Sequence, residues 1–185
     1  MMSTQAPVSR DTLKSIASPS TPATGGRRIL SYRLLLLLTV FVVALDQATK
    51  AWIHLHLPFG TYGEPGAITI VPGFFYLVHV GNTGAAWSIF AGKSVALAIL
   101  AVATLAAIFL WRRQLGLRQT SAQVCFGLLC GGILGNLTDR LLHGHVIDFL
   151  DFHFGSYIYP TFNVADSAIC IGVGLYILHS VRNPQ

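Results

Sequence analysis

Asp148 and Asp166 are the two residues of this chain best suited to chemistry. They stand in Val146-Ile147-Asp148-Phe149 and Phe162-Asn163-Val164-Ala165-Asp166, in a sequence with only seven Asp and Glu among 185 residues. If the fold brings two carboxyl groups to about 3 Å, they cannot both ionise and must share one proton. The ionised member then activates water while the protonated member polarises a carbonyl, which hydrolyses an amide without a metal or a covalent intermediate. The titration of such a pair belongs to both residues together. Six further polar residues recur near short motifs: Asp46, Lys50, Asn82, Asn136, Arg140 and Asn163.

These side chains must be held by an apolar framework. The chain is 53% hydrophobic and 10% charged, with a mean hydropathy of +0.61, far from the roughly 25% charged residues of soluble domains. Each charge placed in a membrane segment costs about 2.5 to 3.5 kcal/mol on insertion scales, so charges there need a reason. The long unbroken apolar runs predict an all-α integral membrane protein, since barrel strands alternate in short segments. Helices are expected over about 31–54, 91–111, 121–142 and 162–181, with a β-rich stretch at 58–80 punctuated by Gly and Pro. The Ser/Thr/Pro-rich stretch 1–28 reads as a disordered cytoplasmic tail, leaving 29–182 as a single membrane-embedded domain.

The net charge of +5 indicates topology and not nucleic acid, because Arg27, Arg28, Arg33, Arg112, Arg113, Arg118 and Arg182 flank the apolar runs. Both termini then lie in the cytoplasm. Asp46, Lys50, Asn82, Asn136, Arg140, Asp148, Asn163 and Asp166 all come to the outer leaflet. Asp46 and Lys50, four residues apart on one helical face, are placed for an ion pair. Gly127, Gly131 and Gly135 repeat every four residues and flatten one helix face for close packing. Arg140 is placed either to pair with Asp139 or to organise the site. Asn82 in Asn-Thr-Gly suits either peptide binding or a simple turn.

Several other readings are weighed and set aside. The stretch 143–160 reads as an outer loop whose His143, His145, Asp148, Asp151 and His153 invite a zinc site, but their spacing matches no closed-site signature. A cleaved signal peptide at the N-terminus would discard the helix carrying Asp46 and Lys50. The odd number of cysteines, all within apolar runs, argues for packing and against disulfides. A small ion or proton transporter would also use intramembrane carboxylates, yet its charges should string across the bilayer, whereas these collect at one face.

Five ordered blocks resemble the signatures of bacterial lipoprotein signal peptidase, or signal peptidase II. They are Asp46-Gln47-Ala48-Thr49-Lys50, Asn82-Thr83-Gly84-Ala85-Ala86, Gly131 to Arg140, Val146 to Phe149, and Phe162 to Asp166. The resemblance covers roughly Arg33 to Val181. It implies four transmembrane helices with a small periplasmic β-cradle, Asp148 and Asp166 as the catalytic pair, and Asp46, Lys50, Asn82, Asn136, Arg140 and Asn163 as supporting or substrate-binding residues. It further implies an aspartic endopeptidase of the bacterial inner membrane that needs no cofactor, acts as a monomer among membrane lipid, and is inhibited by globomycin. Its substrate would be a diacylglyceryl-modified prolipoprotein, cut just before the lipidated cysteine, with the lipid against apolar helix faces and the peptide along the cradle. Trp87 departs from the Phe common at its position.

Overall fold

The computed structural model describes residues 32–63, 65–85 and 89–182. The tail expected over 1–28, and Trp87, lie outside the described residues. Four helices form: α1 (Arg33–His56), α2 (Ser94–Leu110), α3 (Thr120–His143) and α4 (Val164–Arg182). Three of them, α1, α3 and α4, are long and apolar enough to cross a membrane. The fourth, α2, has 17 residues, which at about 1.5 Å per residue approaches a bilayer core of about 30 Å.

Glycines decide which faces meet. On α3, a Cβ added to Gly127 would come within 2.8 Å of Leu38 Cβ, and one on Gly131 within 2.6 Å of Val42 Cβ. The bare backbone lets α1 lie directly against this row. The polar contacts keep a constant offset: Leu35 N–H to Gln123, Thr39 Oγ1 to the Gly127 carbonyl and Gln47 Nε2 to the Gly135 carbonyl. A constant offset means that α1 and α3 run parallel. On another face of α3, Gly132 meets Ala165 while Cys125 meets Gly172. One index rises as the other falls, so α4 runs antiparallel. Polar groups are gathered inside and large apolar ones outside: Leu37, Val40, Phe41, Val95, Ile99 and Val181 are exposed, the inverse of a soluble bundle and suited to lipid contact.

A four-stranded antiparallel sheet caps one end, in the order β1 (Ile68–Val71), β2 (Phe75–Asn82), β3 (Val146–Phe154) and β4 (Tyr157–Ile158). The hairpin expected within 58–80 is β1 and β2. The stretch 143–160, expected as a loop, is instead mostly strand. Its run Val-Ile-Asp-Phe-Leu-Asp-Phe-His-Phe is rich in β-branched and aromatic residues that suit a pleated, half-buried surface, and β2 gives it a partner. Gly144, at φ +76°, ends α3 with its N–H bonded to the Arg140 carbonyl at 3.1 Å. This left-handed turn, easy only for glycine, redirects the chain into β3.

The register between β2 and β3 moves from Leu77↔Leu150 to Val80↔Asp148, so β2 spends one residue more than β3. That bulge explains why the successive residues Val78 and His79 are both buried, and it lies beside Asp148. Under the sheet, Ile147 and Phe149 pack with Ile53 and Leu57 at the end of α1.

Candidate active site

The site forms where α1 ends, α3 ends, α4 begins and β3 passes across them. Backbone bonds stitch the start of α4 to β3: the Phe162 carbonyl accepts from Leu150 N–H at 2.9 Å and Phe149 N–H at 3.1 Å. Asn163 follows as the cap of α4. Its side-chain oxygen accepts the Asp166 N–H at 2.9 Å, and Asp166 Oδ2 accepts the Asn163 N–H at 3.2 Å. This reciprocal arrangement is a capping box, which satisfies two otherwise orphaned donors of the first turn. It also fixes the rotamer of Asp166.

Asn163 Nδ2 donates to Asp148 Oδ1 at 2.7 Å. One residue therefore grips both carboxylates, Asp148 through its side-chain amide and Asp166 through its backbone N–H, and the stitch between α4 and β3 is what permits it. The second oxygen of Asp148 accepts from Asn82 Nδ2 at 3.0 Å, and Asp166 Oδ1 accepts from Asn136 Nδ2 at 2.7 Å. Asp148 is 2% exposed, while Asp166 is only partly buried. Burial first, and the Asp166 charge second, push the Asp148 carboxyl up to about 7 against the opposing pull of Asn82, Lys50 and Asn163.

A second cluster adjoins the pair. Lys50, 2% exposed, places its ammonium 2.8 Å from Asp46, 2.8 Å from Asp139 and 3.0 Å from Asn136 Oδ1. An ammonium has three protons, and each has an acceptor. The carboxylates are equally occupied. Asp46 Oδ1 accepts the Ala165 N–H at 2.9 Å, where the positive end of α4 favours negative charge. Asp139 accepts from Gln47 Nε2 at 2.8 Å and from the Ile147 N–H at 3.0 Å. Asn136 joins the two clusters by accepting from Lys50 and donating to Asp166.

All eight residues singled out in the sequence meet at this end of the bundle, and the Asp46–Lys50 ion pair forms as its spacing predicts. Arg140 does not pair with Asp139, which Lys50 claims. Its Nη2 instead donates to the Gly84 carbonyl at 2.9 Å and its Nη1 to the Asn136 carbonyl at 3.3 Å. Its Nε is buried without a partner among the described residues. Asn82 makes the Asn-Thr-Gly turn, accepting the Gly84 N–H at 2.8 Å, and still reaches Asp148. Sequence reasoning passed over Gln47 and left Asp139 outside the site. The available signal was spacing: Asp139 lies three residues past Asn136, on the same side of α3 and therefore facing Lys50. Asp151, from the discounted zinc set, pairs with His153 at 2.8 Å.

A family model described as signal peptidase (SPase) II matches residues 38–182. The lipoprotein signal peptidase of Syntrophotalea carbinolica is 41% identical over 159 residues, covering 84% of this chain and 96% of that protein. Those of Xylella fastidiosa strain M12 and Yersinia enterocolitica are 39% and 38% identical, each over 80% of this chain, and are themselves covered to 93% and 86%. Two bacterial membrane enzyme structures determined in meso, each 35% identical, match 80% of this chain with TM-scores of 0.72 and 0.70. Of those two chains, 87% and 93% are covered.

Proposed function

The chain belongs to the signal peptidase II family and is a membrane protease that removes signal peptides from prolipoproteins; on that premise we propose that Asp148 and Asp166 are its catalytic pair. The observation that carries this is Asn163, whose side-chain amide donates to the Asp148 carboxylate and whose backbone N–H donates to the Asp166 carboxylate, so that one residue holds both in one site. Asp148, the more buried and the one pushed up to about 7, carries the shared proton. Asp166, partly open and at the positive end of α4, is the base.

In the first step Asp166 takes a proton from water as the water oxygen bonds to the scissile carbonyl carbon, and Asp148 gives its proton to the carbonyl oxygen. In the second, the tetrahedral diol collapses. Asp166 returns its proton to the amide nitrogen, Asp148 recovers its own from the diol, and the C–N bond breaks. Asn82 and Asn136 hold the two carboxylates in place. The Lys50, Asp46 and Asp139 cluster braces Asn136 and the first turn of α4. Arg140 tethers the Gly84 carbonyl to the end of α3, where its Nη1 donates to the Asn136 carbonyl. The substrate is a prolipoprotein carrying diacylglycerol on the cysteine just after the cut, its lipid resting on the apolar helix faces and its peptide along the sheet.

The pair lies at the end of the bundle opposite Arg33, Arg112, Arg113, Arg118 and Arg182. The bias of Lys and Arg toward the cytoplasm supports cytoplasmic termini and a site on the periplasmic side of the inner membrane. Residues 29–182 serve as the single catalytic domain. The test is cleavage by purified protein, in the presence of chelator, of a diacylglyceryl-modified precursor and of the same precursor without lipid. Only the modified precursor should be cut. Failure to cut any lipidated precursor would overturn the reading.

A further inference from the structure

The end of the bundle away from the catalytic pair contains a cavity of about 320 Å³ between α2, α3 and α4. Thr104, Ala107 and Trp111 form one wall, Phe126 and Leu129 the floor, and Tyr176 the other wall. No polar atom is exposed on its surface; even the Thr104 hydroxyl is turned back onto the Leu100 carbonyl at 2.8 Å. The cavity is partly open and lies between helices whose exposed residues, such as Val95, Ile99, Ile171 and Ile177, are apolar, so what enters it comes from the bilayer. An apolar slot of this kind gains about 0.8 kcal/mol for each methylene it takes from water, but nothing from a methylene already in lipid. Apolar lining alone therefore does not select an occupant.

Charge does. Trp111 on the cavity wall is followed at once by Arg112 and Arg113, and the turn from α2 to α3 continues through Leu115, also on the wall, to Arg118. Arg112 is fixed to its own helix, with Nη1 on the Phe109 carbonyl at 2.7 Å and the guanidinium 4.5 Å over the Phe109 ring. Arg113 and Arg118 are exposed. All five aspartates among the described residues, Asp46, Asp139, Asp148, Asp151 and Asp166, belong to the opposite end. This end therefore offers its arginines no carboxylate among those residues, and an anion must come from outside.

We propose that the cavity and the turn above it form a binding site for one anionic diacyl phospholipid of the adjacent leaflet. An acyl chain fills the slot between α2 and α4, and the phosphate lies against Arg113 and Arg118. Basic clusters beside membrane helices attract anionic lipid by about 1 kcal/mol per residue. Lipid seated there would also brace α2, which packs mainly on α3, far from the chemistry.

The test is native mass spectrometry and thermal unfolding of the full-length protein in detergent, titrated with phosphatidylglycerol or with phosphatidylcholine of the same acyl chains. Wild type should retain one phosphatidylglycerol in preference to phosphatidylcholine. Each of Arg113→Gln and Arg118→Gln should weaken that preference about fivefold, while Arg113→Lys keeps most of it. Ala107→Phe, which fills the slot, should abolish retention of both lipids with cleavage of a detergent-solubilised precursor unchanged, and the milder Thr104→Leu should weaken retention if Ala107→Phe folds poorly. Equal retention of the two lipids by wild type, or undiminished retention by both slot-filling variants, would overturn the proposal. So would binding of free inorganic phosphate in place of lipid, or a change in oligomeric state or in protease access to residues 1–31 in place of lipid loss, since a second copy or the tail would then be the occupant.

Discussion

Lys50 and the Asp148–Asp166 pair are neighbours bridged by one asparagine, yet one cluster is closed and the other open. Around Lys50 all three ammonium protons and the oxygens of Asp46 and Asp139 are engaged. In the pair, four donors fix the carboxylates, but Asp166 keeps a face toward the exterior and Asp148 is poised near neutrality. A buried charge whose partners are complete can only hold structure. A carboxylate left partly open, beside one that prefers its proton, can exchange protons with something that arrives. On the proposed assignment, the difference separates brace from catalyst among residues that sequence alone puts in one group.

The comparison breaks first at the pair. Asp148→Asn and Asp166→Asn each preserve shape and hydrogen bonding on one oxygen, and each should lower the cleavage rate by a factor of about 10² to 10⁴, the range for a positioned acid or base. The unfolding temperature should change little, because Asn is close in shape to a carboxyl group and keeps one acceptor oxygen. Lys50→Met should do the opposite. It leaves Asp46 and Asp139 buried without their cation, a loss of about 3 to 5 kcal/mol measurable by denaturant unfolding in micelles. Cleavage would fall in proportion to the folded fraction.

Packing gives a smaller effect. A Cβ at Gly132 would overlap the Ala165 carbonyl oxygen and approach Ile169 Cγ1 to 2.7 Å, so Gly132→Ala should cost about 1 to 3 kcal/mol and displace the turn of α4 that carries Asp166. Gly174→Ala, on α4, meets nothing within 4 Å and should leave cleavage unchanged, with unfolding unchanged or slightly harder because Ala favours the helix.

The smallest effect sharpens the protonation assignment. With its carboxyl raised to about 7, Asp148 loses its proton as pH climbs through that value, and turnover should fall on the alkaline side. The proton it favours in the folded state contributes stability below the unfolded value near 3.8, and this is lost as pH rises through 7. Asn82 donates to the ionised form and lowers the value. Asn82→Ala should therefore move the alkaline limb upward by about half to one pH unit, the equivalent of one hydrogen bond.

Most of this site was legible before any fold was known, for a physical reason. In an apolar chain each charge is expensive, so Asp46, Lys50, Arg140, Asp148 and Asp166 stand out singly, and the arginine pattern sends them to one end. The glycine row on α3 marked a face for close packing equally well, though not that α1 would fill it. What stayed hidden depends on contacts distant in sequence. Residues 146–154 read as a loop because a strand needs a neighbour, and β2 lies more than sixty residues earlier. Arg140 and Asp139 are adjacent in sequence and of opposite sign, but consecutive residues on a helix do not face each other, which left Asp139 to Lys50 and Arg140 to the Gly84 carbonyl.

The most direct measurement compares Asp148→Asn, Asp166→Asn and Lys50→Met in one assay, with the rate of cleavage of a diacylglyceryl-modified prolipoprotein divided by the folded fraction of each preparation. After that correction the two aspartate variants should stay at least about a hundredfold below wild type, and Lys50→Met should return to within a few fold of it. Folded Asp148→Asn or Asp166→Asn protein that cleaves at the wild-type rate would contradict the assignment of the pair. A fully folded Lys50→Met protein that is inactive would show that the closed cluster takes part in the chemistry.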